Sequence, residues 1–176
     1  STISNSHHAA REIVDRIRGQ CPDLAILFVS HHHVAEIQSI LGIVRERVLP
    51  HHLIGCTGES LIGRDQEVEF SPAIALWTAH LPGVKVQSFH IEQRDSKRLE
   101  TAAAWYEYLG VSPGNHPTFI VLPEPFSIDA GACLRKLDSA FPGATIAGGM
   151  ASGATVPGQN RLFQDSSIHS QGLVGV

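Results

Sequence analysis

An apolar strand, an amphipathic helix, a second apolar strand and a glycine-rich turn occur in that order twice along this chain of 176 residues. The stretch LPHHLIGCTGESL (49–61) returns as FPGATIAGGMASG (141–153). Setting Leu53-Ile54-Gly55-Cys56 against Ile146-Ala147-Gly148-Gly149 gives an offset of 93, and setting LAILFV (24–29) against TFIVLP (118–123) gives 94. Four elements recurring at a nearly constant spacing imply an internal duplication. That feature constrains the fold more than any other. It predicts an α/β protein, with a mixed β-sheet flanked by helices and two repeated strand-helix-strand-strand halves in a pseudo-twofold relation. The halves span about 22–92 and 116–176, preceded by a helical extension over 1–20. Such an arrangement would bring the two glycine-rich turns together as one composite pocket.

The local pattern fills in this frame. In AAREIVDRIR (9–18), Ala10, Ile13, Val14 and Ile17 share one helical face, and Gly19 marks a stop. LAILFV is a continuous apolar run of strand length, as expected of a strand covered on both faces. Val34, Ile37, Leu41, Val44 and Val48 follow the helical period, and Pro50 ends it. LIGRDQEVEF (61–70) reads as strand. AIALWTAHL and VKVQSFHIE flank Pro82-Gly83, which predicts a hairpin on a type II turn, with a bulge where the alternation changes phase at Gln87-Ser88. Asp95 or Ser96 caps a helix running to Leu109, with Gly110 at its end. SIDAGACLRKLDSAF (127–141) gives another helix, its inward face formed by Ile128, Leu134, Leu137 and Phe141. The two tryptophans and two tyrosines, clustered in the middle of the chain, are expected in the core. The last apolar segment, SQGLVGV, matches AIALWTA but has no hairpin partner after it. This leads to the expectation of a fragment from a longer protein.

Composition excludes several function classes. The chain has 43% hydrophobic residues, enough for a core, and a formal charge of −4, which argues against a nucleic-acid or anionic-membrane surface. It has no apolar run long enough to span a bilayer, and its polar N-terminus is unlike a secretory signal. Three cysteines without C-x-x-C spacing point to reduced thiols and a cytoplasmic location.

Four kinds of chemistry suit the polar residues. Cys56 as a nucleophile needs G-x-C-x-G on a strand-to-helix elbow, but Gly55 directly precedes it and the repeat places Gly149 at its position. A zinc site among His31, His32, His33, His51 and His52 lacks a carboxylate partner, and neighbours on a strand face opposite ways. Neither P-loop nor dinucleotide fingerprint occurs. A ligand rim fits better, because ligands bind where strands of β-α-β units end. The candidate ligand-binding residues are Ser30, His31, His32, His33, Gly55, Cys56, Thr57, Gly58, Glu59, Gly149, Met150, Ala151, Ser152 and Arg161, and Glu124 also falls at a strand end. The glycines leave backbone N–H groups accessible, and Ser, Thr and His donate hydrogen bonds to a small polar or anionic molecule. No catalytic residue is assigned.

The order LAILFVSHHH, helix, LPHHLIGCTGESLIGRDQEVEFSPAIAL, then TIAGGMASG, RLFQD and QGLVGV resembles the N-terminal FIST domain from Asp23 to Val176. This domain occurs in bacterial signal-transduction proteins and in eukaryotic F-box proteins. The resemblance implies a sensory, non-catalytic domain that recognises a small molecule, with amino acids the proposed class. It further implies continuation into a FIST C-type domain and signalling to a downstream protein. Some bacterial members bind haem and respond to nitric oxide, so haem held by one of His31–His33 is an alternative cofactor. A hydrolase or transferase using Cys56 is the other alternative. The His-His-His run matches no family pattern.

Overall fold

The computed structural model describes residues 1–63 and 66–176. Its first unit is helix α1 (Ser6–Asp15), strand β1 (Leu24–Ser30), a 3-10 turn (His31–Glu36), helix α2 (Ile37–Val48) and strand β2 (His52–Gly58). The short strands β3 (Leu61–Gly63) and β4 (Gln66–Val68) follow, then β5 (Ile74–Ala79) and β6 (Phe89–Ile91). Helices α3 (Gln93–Arg98) and α4 (Ala102–Leu109) lead to β7 (Thr118–Pro123), α5 (Ala130–Ala140) and β8 (Thr145–Gly148). Strands β9 (Leu162–Gln164), β10 (Ser167–His169) and β11 (Leu173–Gly175) complete the described elements.

The strands form two mixed sheets where the sequence predicts one. The first has the order β10-β9-β2-β1-β5 and the second β6-β11-β7-β8, with β3-β4 as a separate pair. Alternation along the strands shows how the layers stack. Ala25, Leu27 and Val29 of β1 join a core with α1 and α2, while Leu24 and Ile26 face the other way. Phe119 and Val121 of β7 join a core with α4 and α5, while Leu122 meets Leu24, Ile26, Ile54 and Val174 in a core between the sheets. The order of layers is therefore helices, sheet, sheet, helices. Covered on both faces, β1 and β7 need no polar alternation, which is why both read as continuous apolar runs.

The two halves repeat one pairing order. β1 pairs parallel with β2 and antiparallel with β5; β7 pairs parallel with β8 and antiparallel with β11. The likeness stops at the margins. β9 borders β2, whereas β8 ends its sheet; β6 borders β11, whereas β5 ends its sheet.

The expected hairpin between AIALWTAHL and VKVQSFHIE does not form. Its turn does: Val84 N–H donates to the Leu81 carbonyl at 3.0 Å, and Gly83 takes φ +79°. After the turn, β6 leaves β5 and pairs antiparallel with β11, Leu173 opposite Ile91 and Gly175 opposite Phe89. The segment that the sequence leaves without a mate is thus an interior strand. The break in alternation near Gln87-Ser88 precedes β6, and no paired strand runs through it.

Among the helices, α1 starts earlier than predicted, with the Asn5 side chain accepting from His8 N–H at its N-cap. The predicted helix from Asp95 to Leu109 is two helices. Glu92 and Asp95 form a capping box for α3, and Thr101 caps α4, which ends at Gly110 with φ +64°. LIGRDQEVEF forms the β3-β4 pair, although its Arg64 and Asp65 lie outside the described residues. Trp105 is buried with its indole N–H on the Leu99 carbonyl, but Trp77 on β5 is 51% exposed, against the expectation of core tryptophans.

Candidate functional site

Two glycines let the strand ends approach. Gly55 on β2 and Gly148 on β8 each pack flat against the neighbouring parallel strand. A Cβ at Gly55 would run into the Leu27 carbonyl, and one at Gly148 into the Val121 carbonyl. Beyond these points the two glycine-rich turns meet. Ser152 N–H donates to the Thr57 carbonyl at 3.0 Å, and Glu59 N–H donates to Ser152 Oγ at 3.0 Å. Gly153 lies over Gly58 and beside the Cβ of His31. The predicted rim residues His31, Thr57, Gly58, Glu59 and Ser152 are therefore neighbours, contributed by both halves.

Behind this joint lies a buried polar chain. Thr57 Oγ1 accepts from Arg161 N–H at 3.1 Å and donates to Asn160 Oδ1 at 3.4 Å. Asn160 Nδ2 donates to Glu124 Oε1 at 3.0 Å, and Ala154 N–H donates to Asn160 Oδ1 at 3.2 Å. Phe126 N–H satisfies the other oxygen of Glu124 at 3.0 Å. Thr57, Glu124 and Asn160 are fully buried. A carboxyl group removed from water must be hydrogen-bonded to be tolerated, and both oxygens here are. Asn160 was missed in the sequence because nothing in GATVPGQNRL distinguishes a buried asparagine from a loop one.

The other predicted residues have different tasks. Ser30 Oγ accepts from Ala73 N–H at 2.8 Å and fastens the end of β1 to the segment entering β5. His31 and His32 are exposed, while His33 is buried on the far side, its Nδ1 sharing a 2.8 Å hydrogen bond with Ser6 Oγ. Burial, then the charges of His32 and the N-terminal amine, hold the His33 pKa below its ordinary value. Cys56 faces the core between the sheets, and burial pushes its thiol up to about 12. A thiolate nucleophile is scarce at neutral pH in such surroundings. Ala151 is buried, with its N–H on the Pro123 carbonyl at 2.9 Å; Gly149 and Met150 are exposed. The Arg161 guanidinium donates to the carbonyls of Gly158 at 2.6 Å and Asn160 at 2.8 Å, so it braces its own loop.

The joint is a rim of small and polar residues. The two largest cavities we describe lie elsewhere: one of about 600 Å³ between the segment before β6 and the start of β7, the other of about 510 Å³ beside β5 and α1. A haem needs an apolar slot next to its axial imidazole. His31 and His32 face solvent, and His33 lines neither cavity, so this arrangement does not fit the group.

A stacked histidine pair went unnoticed in the sequence. His90 of β6 and His169 of β10 stack across the two sheets, with ring centroids 3.8 Å apart. His90 Nε2 hydrogen-bonds the Gln171 carbonyl at 2.9 Å, and the buried Nε2 of His169 has no partner among the described residues. Burial, then the neighbouring His90, lowers the His169 pKa.

Comparison with known proteins places this fold. The family model described as FIST N domain matches residues 23–176. An uncharacterized protein of Mycobacterium tuberculosis (strain H37Rv), Rv0628c, is 32% identical over 180 residues, covering all of this chain and 45% of the relative. Another, Mb0898c of Mycobacterium bovis, is 28% identical over 170 residues, covering 96% of this chain and 42% of the relative. The chain thus spans less than half the length of these curated relatives. No helix among the described residues is long and apolar enough to cross a membrane.

Proposed function

Because this chain belongs to the FIST N domain family, whose members are sensory ligand-binding modules of signal transduction, we propose that it recognises a small polar molecule of the amino-acid class. The site is the rim where the two glycine-rich turns meet. The observation that carries this reading is the pair of hydrogen bonds joining Ser152 to Thr57 and Glu59. A ligand seated there touches both halves, and the buried chain through Asn160 to Glu124 links the rim to the end of β7. Its charge pattern suits an amino acid. Exposed Glu59 faces an ammonium group, and exposed His31 faces a carboxylate. The signal passes to a FIST C-type domain in the same chain and on to a downstream protein, in the cytoplasm, with no catalysis by this domain.

A thermal-shift screen of the twenty amino acids tests this directly, since a ligand that binds only the folded state must raise the melting temperature. One or a few amino acids are expected to do so. His31→Ala should reduce the shift while leaving the unliganded melting temperature nearly unchanged. Ser152→Ala should reduce it too, and also lower the unliganded melting temperature by a few degrees because Glu59 N–H loses its acceptor. A flat screen, or a shift untouched by both substitutions, refutes the site.

A further inference from the structure

The cavity of about 600 Å³ lies between Lys85–Phe89, leading into β6, and Pro117–Phe119, opening β7, with Val176 at one end. We propose that this cleft is a strand seat: the run-on of β11 in the full-length protein passes through it and completes the second sheet. For its occupant the inference rests on the continuation into a C-type domain proposed above.

Three observations point to a strand. The first is register. β11 pairs with β6 on one side and β7 on the other, and Val176 already exchanges two hydrogen bonds with Ile120, at 2.9 and 3.0 Å. Continuing both ladders, the residue after Val176 falls opposite Gln87 and the next falls opposite Thr118, and both of these line the cleft. The second is width. Two strands flanking a third stand about 10 Å apart, twice the usual strand spacing, and β6 and β7 already hold that relation around Leu173–Gly175. The third is length. β5 gives β1 six paired residues, whereas β11 gives β7 three. VKVQSF also has strand-like composition, yet only its last residue belongs to β6, because a strand pairs only where a neighbour runs beside it.

The side chains specify the occupant further. Leu173 faces the helical core and Val174 the core between the sheets. By alternation the residue after Val176 faces the helical side, where Leu109, Val111 and Phe119 line the cleft. An apolar residue belongs there, and a polar one is tolerated less well. The curated relatives, more than twice as long as the matched stretch, have the chain to supply such a strand.

Hydrogen exchange at the Gln87 and Thr118 amides reads this out. We compare residues 1–176, the same chain extended by Val-Thr-Val or by Gly-Ser-Gly, and the full-length protein. Val-Thr-Val and the full-length protein should slow both amides by about tenfold or more, and Gly-Ser-Gly by less. Thr118→Pro, at a first strand position where proline is tolerated, should cancel the gain in melting temperature from Val-Thr-Val and leave the unextended chain nearly unchanged. Unchanged exchange in every extended form refutes the strand seat. Protection by Val-Thr-Val but not in the full-length protein refutes the native occupant. If amino acids protect these amides in residues 1–176, the cleft is a small-molecule site, which also refutes the proposal. The amino-acid screen at His31 and Ser152 reads a different surface, so the two readings fail separately.

Discussion

Single residues decide where backbones touch and which side chains can react. Gly55 and Gly148 occupy equivalent steps of their strands, and each admits a carbonyl where any other residue places a methyl group. Gly55→Ala should cost about 1–3 kcal/mol, the range of overpacked interiors. Gly148→Ala, at an exposed position, should also cost about 1–3 kcal/mol, through its clash with the Val121 carbonyl and its φ of +151°. Gly42 is the matched control. It sits inside α2 with nothing near its absent Cβ, so Gly42→Ala should stabilise by about 0.5–1 kcal/mol. Chemical denaturation of the three variants checks the contrast. Cysteine reactivity is settled at the same scale. Cys21 is exposed, whereas Cys56 and Cys133 are buried and burial raises both thiols. A thiol reagent at mildly alkaline pH should label Cys21 quickly and the other two only on unfolding; rapid labelling of Cys56 would revive the cysteine-enzyme reading. In the sequence the glycine spacing already spoke against an elbow at GCTG; the burial that raises the Cys56 thiol is visible only in the structure.

At the scale of elements, boundaries followed caps and pairing partners. Asn5, Thr101 and Gly110 set helix ends through local hydrogen bonds and backbone conformation. Of these only Gly110 was legible in the sequence, because Asn5 and Thr101 are caps whose role depends on where the helix begins. Strands differ because their partners are distant. β2 lies between β1 and β9, whereas the equivalent β8 is an edge, largely exposed. Amides on the outer side of β8 should exchange with solvent at least tenfold faster than those of β2, measured by native-state hydrogen exchange. Equal protection would mean that β8 is covered in solution. The strand-helix-strand order of both halves was legible in the sequence. The destination of β6 was not, because the turn at Leu81–Val84 is compatible with both a hairpin and a crossing to the other sheet.

For the whole molecule, the critical contacts are those between halves and between sheets. Asn160→Ala removes the donor to Glu124 and the acceptor for Thr57, and should cost about 1–3 kcal/mol, the range for stranding a buried polar group. Equilibrium unfolding measures it, and a neutral result would mean that water replaces the amide. Buried His33 and half-buried His169 make stability depend on pH. His33 and His169 both have folded pKa values below the ordinary value, so the unfolded chain binds protons that the folded one resists. Their full contribution is present above about pH 6.5, and stability falls as pH drops through and below that value. His169→Asn should flatten the fall in melting temperature between about pH 7.5 and 5, because it removes one proton site and its repulsion with His90. By itself the sequence determined the α/β class, the recurring order of elements, the covered strands and the turns that come together, since each leaves a periodic or conformational mark along the chain. Only the tertiary structure decided that the strands divide into two facing sheets, that β6 serves β11, that Asn160 joins Glu124 to Thr57 and that Cys56 is sealed in the core. Pairing and burial depend on which distant segments compete for one edge or one cavity, and that competition is resolved only when the whole chain packs.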